Sequence, residues 1–332
     1  MIPETFKALR AEQISDKIVK PILREIPLSD LPENEVLIKV HYSSLNYKDA
    51  LSATGNRGIT RNYPHTPGID SCGTVVYSAD PHVKKGDQVL VCGYDLGMNT
   101  PGGFGQYIQV PGSWVMPLPE GLSFRDSMML GTAGFTAALA INQMELNGQS
   151  PASGPILVTG AGGGLGSLAI NILAHTGYHV IAATGKTEET EYFTSLGATE
   201  IIGREQLDDQ SGKLLLRPRW AGVIDTVGGN ILSTSIRACL KHGNVAVCGN
   251  ALSHEFQTTV YPFILNGINL LGIDSATCDM ELRKLVWDKL ADDWRPPMLK
   301  LISKEISLDQ LPENIENILH GKIRGRVFVN ME

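Results

Sequence analysis

Runs of basic residues are missing from this chain. No stretch of Lys or Arg exceeds the pair Lys84-Lys85, and 28 basic against 35 acidic residues leave a formal charge of -7. A nucleic-acid duplex or an anionic membrane is therefore not expected as a partner, because both are gripped through clustered cations. No segment approaches the roughly 18 consecutive apolar residues of a membrane span. Met1 to Arg10 lacks the charged-then-apolar pattern of a secretory leader, so a cytoplasmic protein is expected. Cysteine is scarce as well. Cys72, Cys92, Cys239, Cys248 and Cys278 are odd in number and mostly sit in apolar runs, which reads as buried free thiols rather than a disulfide framework. Aromatics make up only 6% of the chain, but 42% hydrophobic and 19% charged residues are those of an ordinary globular protein. At 332 residues it has the length of roughly two domains.

Glycine is in excess, at 35 residues, and its placement organises the chain. From Met1 to about Pro119, short alternating segments broken by Gly and Pro predict a compact antiparallel β unit: Val36, Ile38 and Val40, then Thr74 to Tyr77, Val89 to Cys92 and Tyr107 to Val110. Ser123, with Asp126 three places on, reads as a capping box opening a long Ala-rich helix that ends near Met144. After the polar loop Asn147 to Gly154, strands are predicted to begin near Pro155, His179, Ala198, Ala221, Gly243 and Ile268. These starts are 19 to 25 residues apart, room for one strand and one crossover each, so a mainly parallel six-stranded sheet covered on both faces is expected. A helix over Glu313 to His320 and a strand over Arg326 to Asn330 are expected to return to the first domain. The boundaries read from this are 1–122, completed by 298–332, and 123–297.

The apolar run Ile156-Leu157-Val158-Thr159 leads into Gly160-Ala161-Gly162-Gly163-Gly164-Leu165-Gly166 and then the helical pattern from Ser167. Ala161-x-Gly163-x-x-Gly166 is a dinucleotide fingerprint: small residues permit the tight turn, Gly163 lets backbone approach a pyrophosphate, and Gly166 lets helix and strand pack closely. Where an NAD-binding domain carries an acid for the ribose hydroxyls, this chain has Thr184-Gly185-Lys186. A carboxylate would repel a 2'-phosphate, whereas the Thr184 hydroxyl and Lys186 ammonium attract it, and Arg204 adds charge or stacks on adenine. The expectation is NADPH rather than NADH.

A β-rich first domain, a Rossmann domain and a short return resemble the medium-chain dehydrogenase/reductase superfamily, whose first domain is GroES-like. Many members are zinc alcohol dehydrogenases with a Gly-His-Glu ligand motif. The corresponding stretch here is Pro67-Gly68-Ile69-Asp70-Ser71-Cys72-Gly73, and Val91 to Gly105 offers only Cys92 where a four-cysteine lobe would lie. His65 and Cys72 fit core or loop packing better than ligation, so no metal is expected. Without that Lewis acid, the zinc-free branch that reduces activated C=C bonds and quinones is the better match. Ser43-Ser44-Leu45-Asn46-Tyr47-Lys48-Asp49-Ala50, Arg61-Asn62-Tyr63-Pro64, Pro67 to Asp70, Gly131-Thr132-Ala133-Gly134-Phe135-Thr136-Ala137, Asp225-Thr226-Val227-Gly228 and Pro262-Phe263-Ile264-Leu265 resemble the bacterial acrylyl-CoA reductase family. Gly162 departs from its usual Ser, and Asn250 from an apolar residue.

The resemblance implies NADPH-dependent reduction of acrylyl-CoA to propionyl-CoA. Tyr47 would be proton donor or enolate stabiliser, and Asn46 its polar neighbour. Outside this motif a Tyr is ordinarily a core residue with a satisfied hydroxyl. The pair Lys48-Asp49 reads as a helix cap and a solvated charge, and Arg57 or Arg61 as exposed loop cations within reach of a CoA phosphate. The cofactor would be lined by Tyr47, by Gly162, Gly163, Gly164 and Leu165 at the pyrophosphate, and by Thr184, Gly185, Lys186 and Arg204 at the adenosine end. Asn250, Ile264, Ser275 and Gly321 would follow toward nicotinamide and ribose. Relatives dimerise by continuing the sheet at the apolar strand between Ile264 and Ser275, which implies a homodimer. Two alternatives remain open: an NADPH-dependent quinone or enone reductase, and a non-enzymatic NADPH-binding sensor.

Overall fold

The computed structural model describes residues 2–16 and 18–332. The chain divides into two compact units. The first comprises Met1–Thr132, Ala276–Lys284 and Ser303–Glu332, and the second Ala133–Ser275 and Leu285–Ile302.

The first unit is built on a mostly antiparallel sheet. Val36–Leu45 is its centre: it pairs antiparallel with Asp70–Ser78, with Tyr107–Val110 and with Arg326–Asn330. Gln88–Cys92 and then Met116–Pro117 extend one side, while Ser303–Ser307 lies parallel to Arg326–Asn330 on the other. Alternating Val36, Ile38 and Val40 bury one face with Leu45, Phe104, Ile108 and Val329, as period-two patterning requires. Thr5–Ser15 and Ile18–Pro27, which the alternating pattern from Val36 onward does not include, form a separate antiparallel pair in this unit. The last helix is Leu311–Leu319, starting two residues before the position read from sequence.

The second unit holds a six-stranded sheet in which every pairing is parallel: Ile156–Val158, Val180–Thr184, Glu200–Gly203, Trp220–Asp225, Cys239–Val247 and Asn269–Gly272. In sequence order its strands lie 3-2-1-4-5-6, the doubly wound Rossmann arrangement, with its switch between the first and fourth strands. Leu157, Ile181, Val223 and Val245 form the core beneath it, buried on both faces as crossover helices demand.

The Ala-rich helix differs from expectation in one respect. It spans Phe124–Leu146, but Gly131 breaks it with φ +51 and ψ -158. The capping box at its start is present: Ser123 Oγ donates to Asp126 Oδ2 at 2.8 Å, and Asp126 N donates to Ser123 Oγ at 3.1 Å. The division between the two units falls directly after this break, between Thr132 and Ala133. Among the described residues no helix is long and apolar enough to cross a membrane, and all five cysteines are free thiols.

Candidate active site

Tyr47 opens the seven-residue helix Tyr47–Ala53 and is 52% exposed. It is not a core tyrosine, and its hydroxyl has no hydrogen-bond partner among the described residues. Its neighbour Asn46 is fully engaged in the fold. The Asn46 backbone N–H donates to Asp49 Oδ2 at 2.8 Å, and its amide nitrogen to Asp49 Oδ2 at 3.1 Å and Asp70 Oδ2 at 2.9 Å. Arg326 Nη1 donates to its Oδ1 at 3.0 Å.

Asp49 caps the helix start, as the spacing suggested, but it is no solvated charge. It is fully buried, and Ile69 N also donates to it at 2.8 Å. Burial, and next the negative charge of Asp70, push its carboxyl up to about 7. Lys48 is half-buried.

Asp70 is the hub of this cluster. Beside the Asn46 amide it accepts Ser44 Oγ at 2.5 Å, Thr132 N at 2.9 and 3.0 Å, and Thr132 Oγ1 at 2.5 Å. Arg326 Nη2 stands 3.9 Å from Asp70 Oδ2, with both side chains nearly or wholly buried. The guanidinium also donates to the carbonyls of Met129 and Leu45 at 3.3 Å. Its burial pulls its proton affinity down, against the opposing charges of Asp70 and Asp49. Gly131 makes room for all of this: a Cβ there would lie 2.5 Å from Ser44 Oγ and 2.6 Å from both Arg326 Nη2 and Asp70 Oδ2.

The second unit holds the glycine turn that the sequence marks as a dinucleotide fingerprint. The turn after Ile156–Val158 runs directly into the twelve-residue helix Gly164–His175, whose free N–H groups favour an anion. Gly166 is required there, since a Cβ would sit 2.4 Å from the carbonyl oxygen of Gly160. Gly163 is exposed, and Gly162, Gly164 and Leu165 partly so. The parallel register pairs Gly203 with Thr184, which brings Arg204 beside Gly185: a Cβ on Gly185 would meet Arg204 Nε at 3.3 Å. Lys186 N donates to Thr184 Oγ1 at 3.0 Å, leaving that hydroxyl's own proton free to be donated. Thr184 and Lys186 of one stretch and Arg204 of another thus meet at the ends of two paired strands, where the Glu205 carboxylate also lies, against Gly203.

The remaining sequence candidates are more scattered. Asn250 is exposed at the loop after Cys239–Val247. Ile264 is 68% exposed on the short helix Tyr261–Asn266, and Ser275 Oγ accepts from Thr136 Oγ1 at 2.8 Å. Gly321 belongs to the first unit, where it turns the chain after Leu311–Leu319 with φ +65. Arg57 is occupied: it lies 4.8 Å over the Tyr63 ring and donates to Gln13 Oε1 and to the Arg61 carbonyl. Arg61 is exposed.

In the sequence Asp70 stands out only as part of a motif and Arg326 only as the start of a strand. The available signal is the pair of small polar residues Ser43 and Ser44, both fully buried, at the end of the central strand. Nothing local linked position 326 to it.

Comparisons with known proteins agree with this architecture. Residues 32–120 match the alcohol dehydrogenase GroES-like domain, and residues 164–292 the zinc-binding dehydrogenase domain. Together they define a medium-chain dehydrogenase/reductase. The chain is 44% identical over 327 residues to the putative quinone oxidoreductase YhfP of Bacillus subtilis, covering 98% of this chain and 99% of that protein. It is 43% identical over 309 residues to the acrylyl-CoA reductase AcuI of Ruegeria pomeroyi, covering 93% and 94%. The crystal structure of Bacillus subtilis yhfP with NAD bound superposes with a TM-score of 0.96, covering 99% of this chain and 100% of that one. That of Escherichia coli K-12 YhdH with bound NADPH gives 0.95 at 41% identity, covering 98% and 100%. The chain belongs to the acrylyl-CoA reductase and quinone oxidoreductase-like family of medium-chain dehydrogenase/reductases. Among the described residues no group of three or more His, Cys, Asp or Glu side chains is placed to hold a metal ion.

Proposed function

We propose that the chain is an NADPH-dependent reductase of the activated C=C bond of acrylyl-CoA, forming propionyl-CoA. The observation that carries this reading is the exposed, uncommitted hydroxyl of Tyr47 on an otherwise rigidly held turn. The AcuI relative adds the substrate, and the Thr184 hydroxyl with the Lys186 and Arg204 cations favours the 2'-phosphate of NADPH. In this reading the first unit carries the catalytic tyrosine and the second the cofactor.

When bound, NADPH supplies a hydride to the β-carbon and leaves as NADP+. The C=C electron pair then moves toward the thioester, placing negative charge on its oxygen and nucleophilic character on the α-carbon. Tyr47 donates its hydroxyl hydrogen to that oxygen, or its proton to the α-carbon, and recovers a proton from water. Replacing Tyr47 by Phe is expected to reduce turnover about ten-fold or more while leaving NADPH affinity unchanged. Unchanged turnover would remove Tyr47 from the mechanism.

Quinone reduction is the second reading, favoured by the name of the Bacillus subtilis relative. Loss of NADPH absorbance, measured with acrylyl-CoA, crotonyl-CoA and a simple quinone side by side and with NADH as control, separates the two. Turnover of quinone alone transfers the function to the second reading. NADPH binding without turnover of any of them leaves the sensor.

We also infer a homodimer. Asn269–Gly272 is the sheet edge, and Leu265 and Leu270 are exposed there. An apolar edge with unpaired backbone groups is completed by the same edge of a second copy.

A further inference from the structure

Among the described residues nothing anchors the Tyr47 hydroxyl, so the direction of its side chain depends on the backbone that carries it. That backbone is fixed at Asn46, whose N–H, amide nitrogen and amide oxygen are all taken by Asp49, Asp70 and Arg326. Asp70 in turn holds Ser44, at the end of the central strand, and Thr132, directly after the helix break. Arg326 closes the cluster from the last strand and ties in the carbonyls of Leu45 and Met129.

We propose that Asp70 and Arg326 are positioning residues for Tyr47, holding the Asn46–Tyr47 turn in the one geometry that presents the hydroxyl for proton donation. The inference rests on the reading of Tyr47 as the donor. On this view Asn46, expected from sequence as a catalytic neighbour, is the link between the cluster and the tyrosine.

Three features favour this over a role in stability alone. A buried cluster of two carboxylates and one guanidinium is a poor stabiliser compared with apolar packing, and one reason to keep such a group is to select a single arrangement. Burial and the neighbouring Asp70 push the Asp49 carboxyl up to about 7, so Asp49 readily takes a proton and eases the crowding of two carboxylates around the one guanidinium of Arg326. Finally, the cluster occupies the space that Gly131 leaves empty, with three polar atoms within 2.6 Å of where its Cβ would be. The break in the helix therefore serves the same turn.

A double-mutant cycle tests the idea. The variants Asp70→Asn, Arg326→Met, Arg326→Lys and Tyr47→Phe are assayed at saturating NADPH with acrylyl-CoA and with a quinone, while NADPH fluorescence gives cofactor affinity. If Asp70 acts through Tyr47, Asp70→Asn lowers kcat about ten-fold, but by less than about two-fold once Tyr47 is already Phe. NADPH affinity stays within about two-fold, and Arg326→Lys keeps more activity than Arg326→Met. Ser44→Ala and Thr132→Val each remove one donor to Asp70 without altering charge; they serve if the larger changes prevent folding. The same coupling, at about three-fold, is expected of them.

Losses that multiply in the double variants, or single variants with full kcat, overturn the proposal while leaving the reductase reading intact. A silent Tyr47→Phe, or a wild-type protein that turns over neither substrate, instead overturns the reading of Tyr47, and the inference falls with it.

Discussion

Thr159 and Asp225 are joined at 2.7 Å, the Thr159 hydroxyl donating to Asp225 Oδ1 across the two strands that flank the switch of the Rossmann sheet. Asp225 Oδ2 accepts Gly228 N at 2.8 Å and Val227 N at 3.3 Å, and Thr226 Oγ1 donates back to the Thr159 carbonyl at 3.0 Å. Gly160 is pressed against this brace, for a Cβ there would strike Thr226 Oγ1. The glycine turn is thus held from behind by a buried carboxylate.

Asp225→Asn keeps the shape but turns an N–H toward donors that need an acceptor. Leaving them unsatisfied costs about 1 to 3 kcal/mol. A lower melting temperature and weaker NADPH binding are expected together, read by calorimetry and by NADPH fluorescence. Full cofactor affinity would show that the turn holds its shape without the brace.

The proposed role of Lys186 in cofactor choice can be tested. A charge-assisted contact to a phosphate contributes about 1.5 to 3 kcal/mol. Lys186→Ala should therefore weaken NADPH binding by about ten- to a hundred-fold and leave NADH binding nearly unchanged. Equal losses for both cofactors would detach Lys186 from the 2'-phosphate.

Asp49 gives the protein a pH dependence of known sign. Its carboxyl is raised from 3.8 in the unfolded chain to about 7 in the fold, so the folded state binds the proton more tightly. The stability this contributes is complete below about pH 4 and is lost as pH rises through about 7. Melting temperatures between pH 5 and 8 should fall less steeply in Asp49→Asn than in the wild type. Parallel slopes would contradict the raised value.

The sheet edge gives the test of assembly. Leu270→Lys places a charge on the exposed edge strand, and light scattering should then report the mass of one chain instead of two. NADPH affinity should not change, since the proposed cofactor site lies at the other end of the strand order. A wild-type protein that is already monomeric removes the dimer.

How much of this could be read in the sequence depended on distance along the chain. The glycine turn, the six parallel strands and the group Thr184 to Lys186 are local patterns, and each was legible from neighbouring residues. The bend at Gly131 was hidden because the helical Ala-rich pattern continues on both sides of it; only the contacts of Ser44, Asp70 and Arg326 explain why a glycine stands there. Tyr47 is marked in the sequence by its motif, but its exposure is not legible there, and neither is the burial of Asp49 beside it. Asp70 and Arg326 are paired by an antiparallel sheet that joins distant segments, and no periodicity records that partnership.

The first unit is assembled from three separate stretches of chain, and the last of them carries Arg326. A ribosome reaches it about 250 residues after Asp70, on the order of tens of seconds later at about 5 to 20 residues per second. Throughout that interval Asp49 and Asp70 have no guanidinium to share, and the central strand lacks the neighbour Arg326–Asn330. Residues 1–132 of the nascent chain therefore stand without their last strand while all six Rossmann strands, which end at Gly272, are synthesised. Chains stalled before Arg326 should be cut readily by protease within residues 36–132 and resist within the second unit; equal resistance would mean that the first unit closes without its last strand.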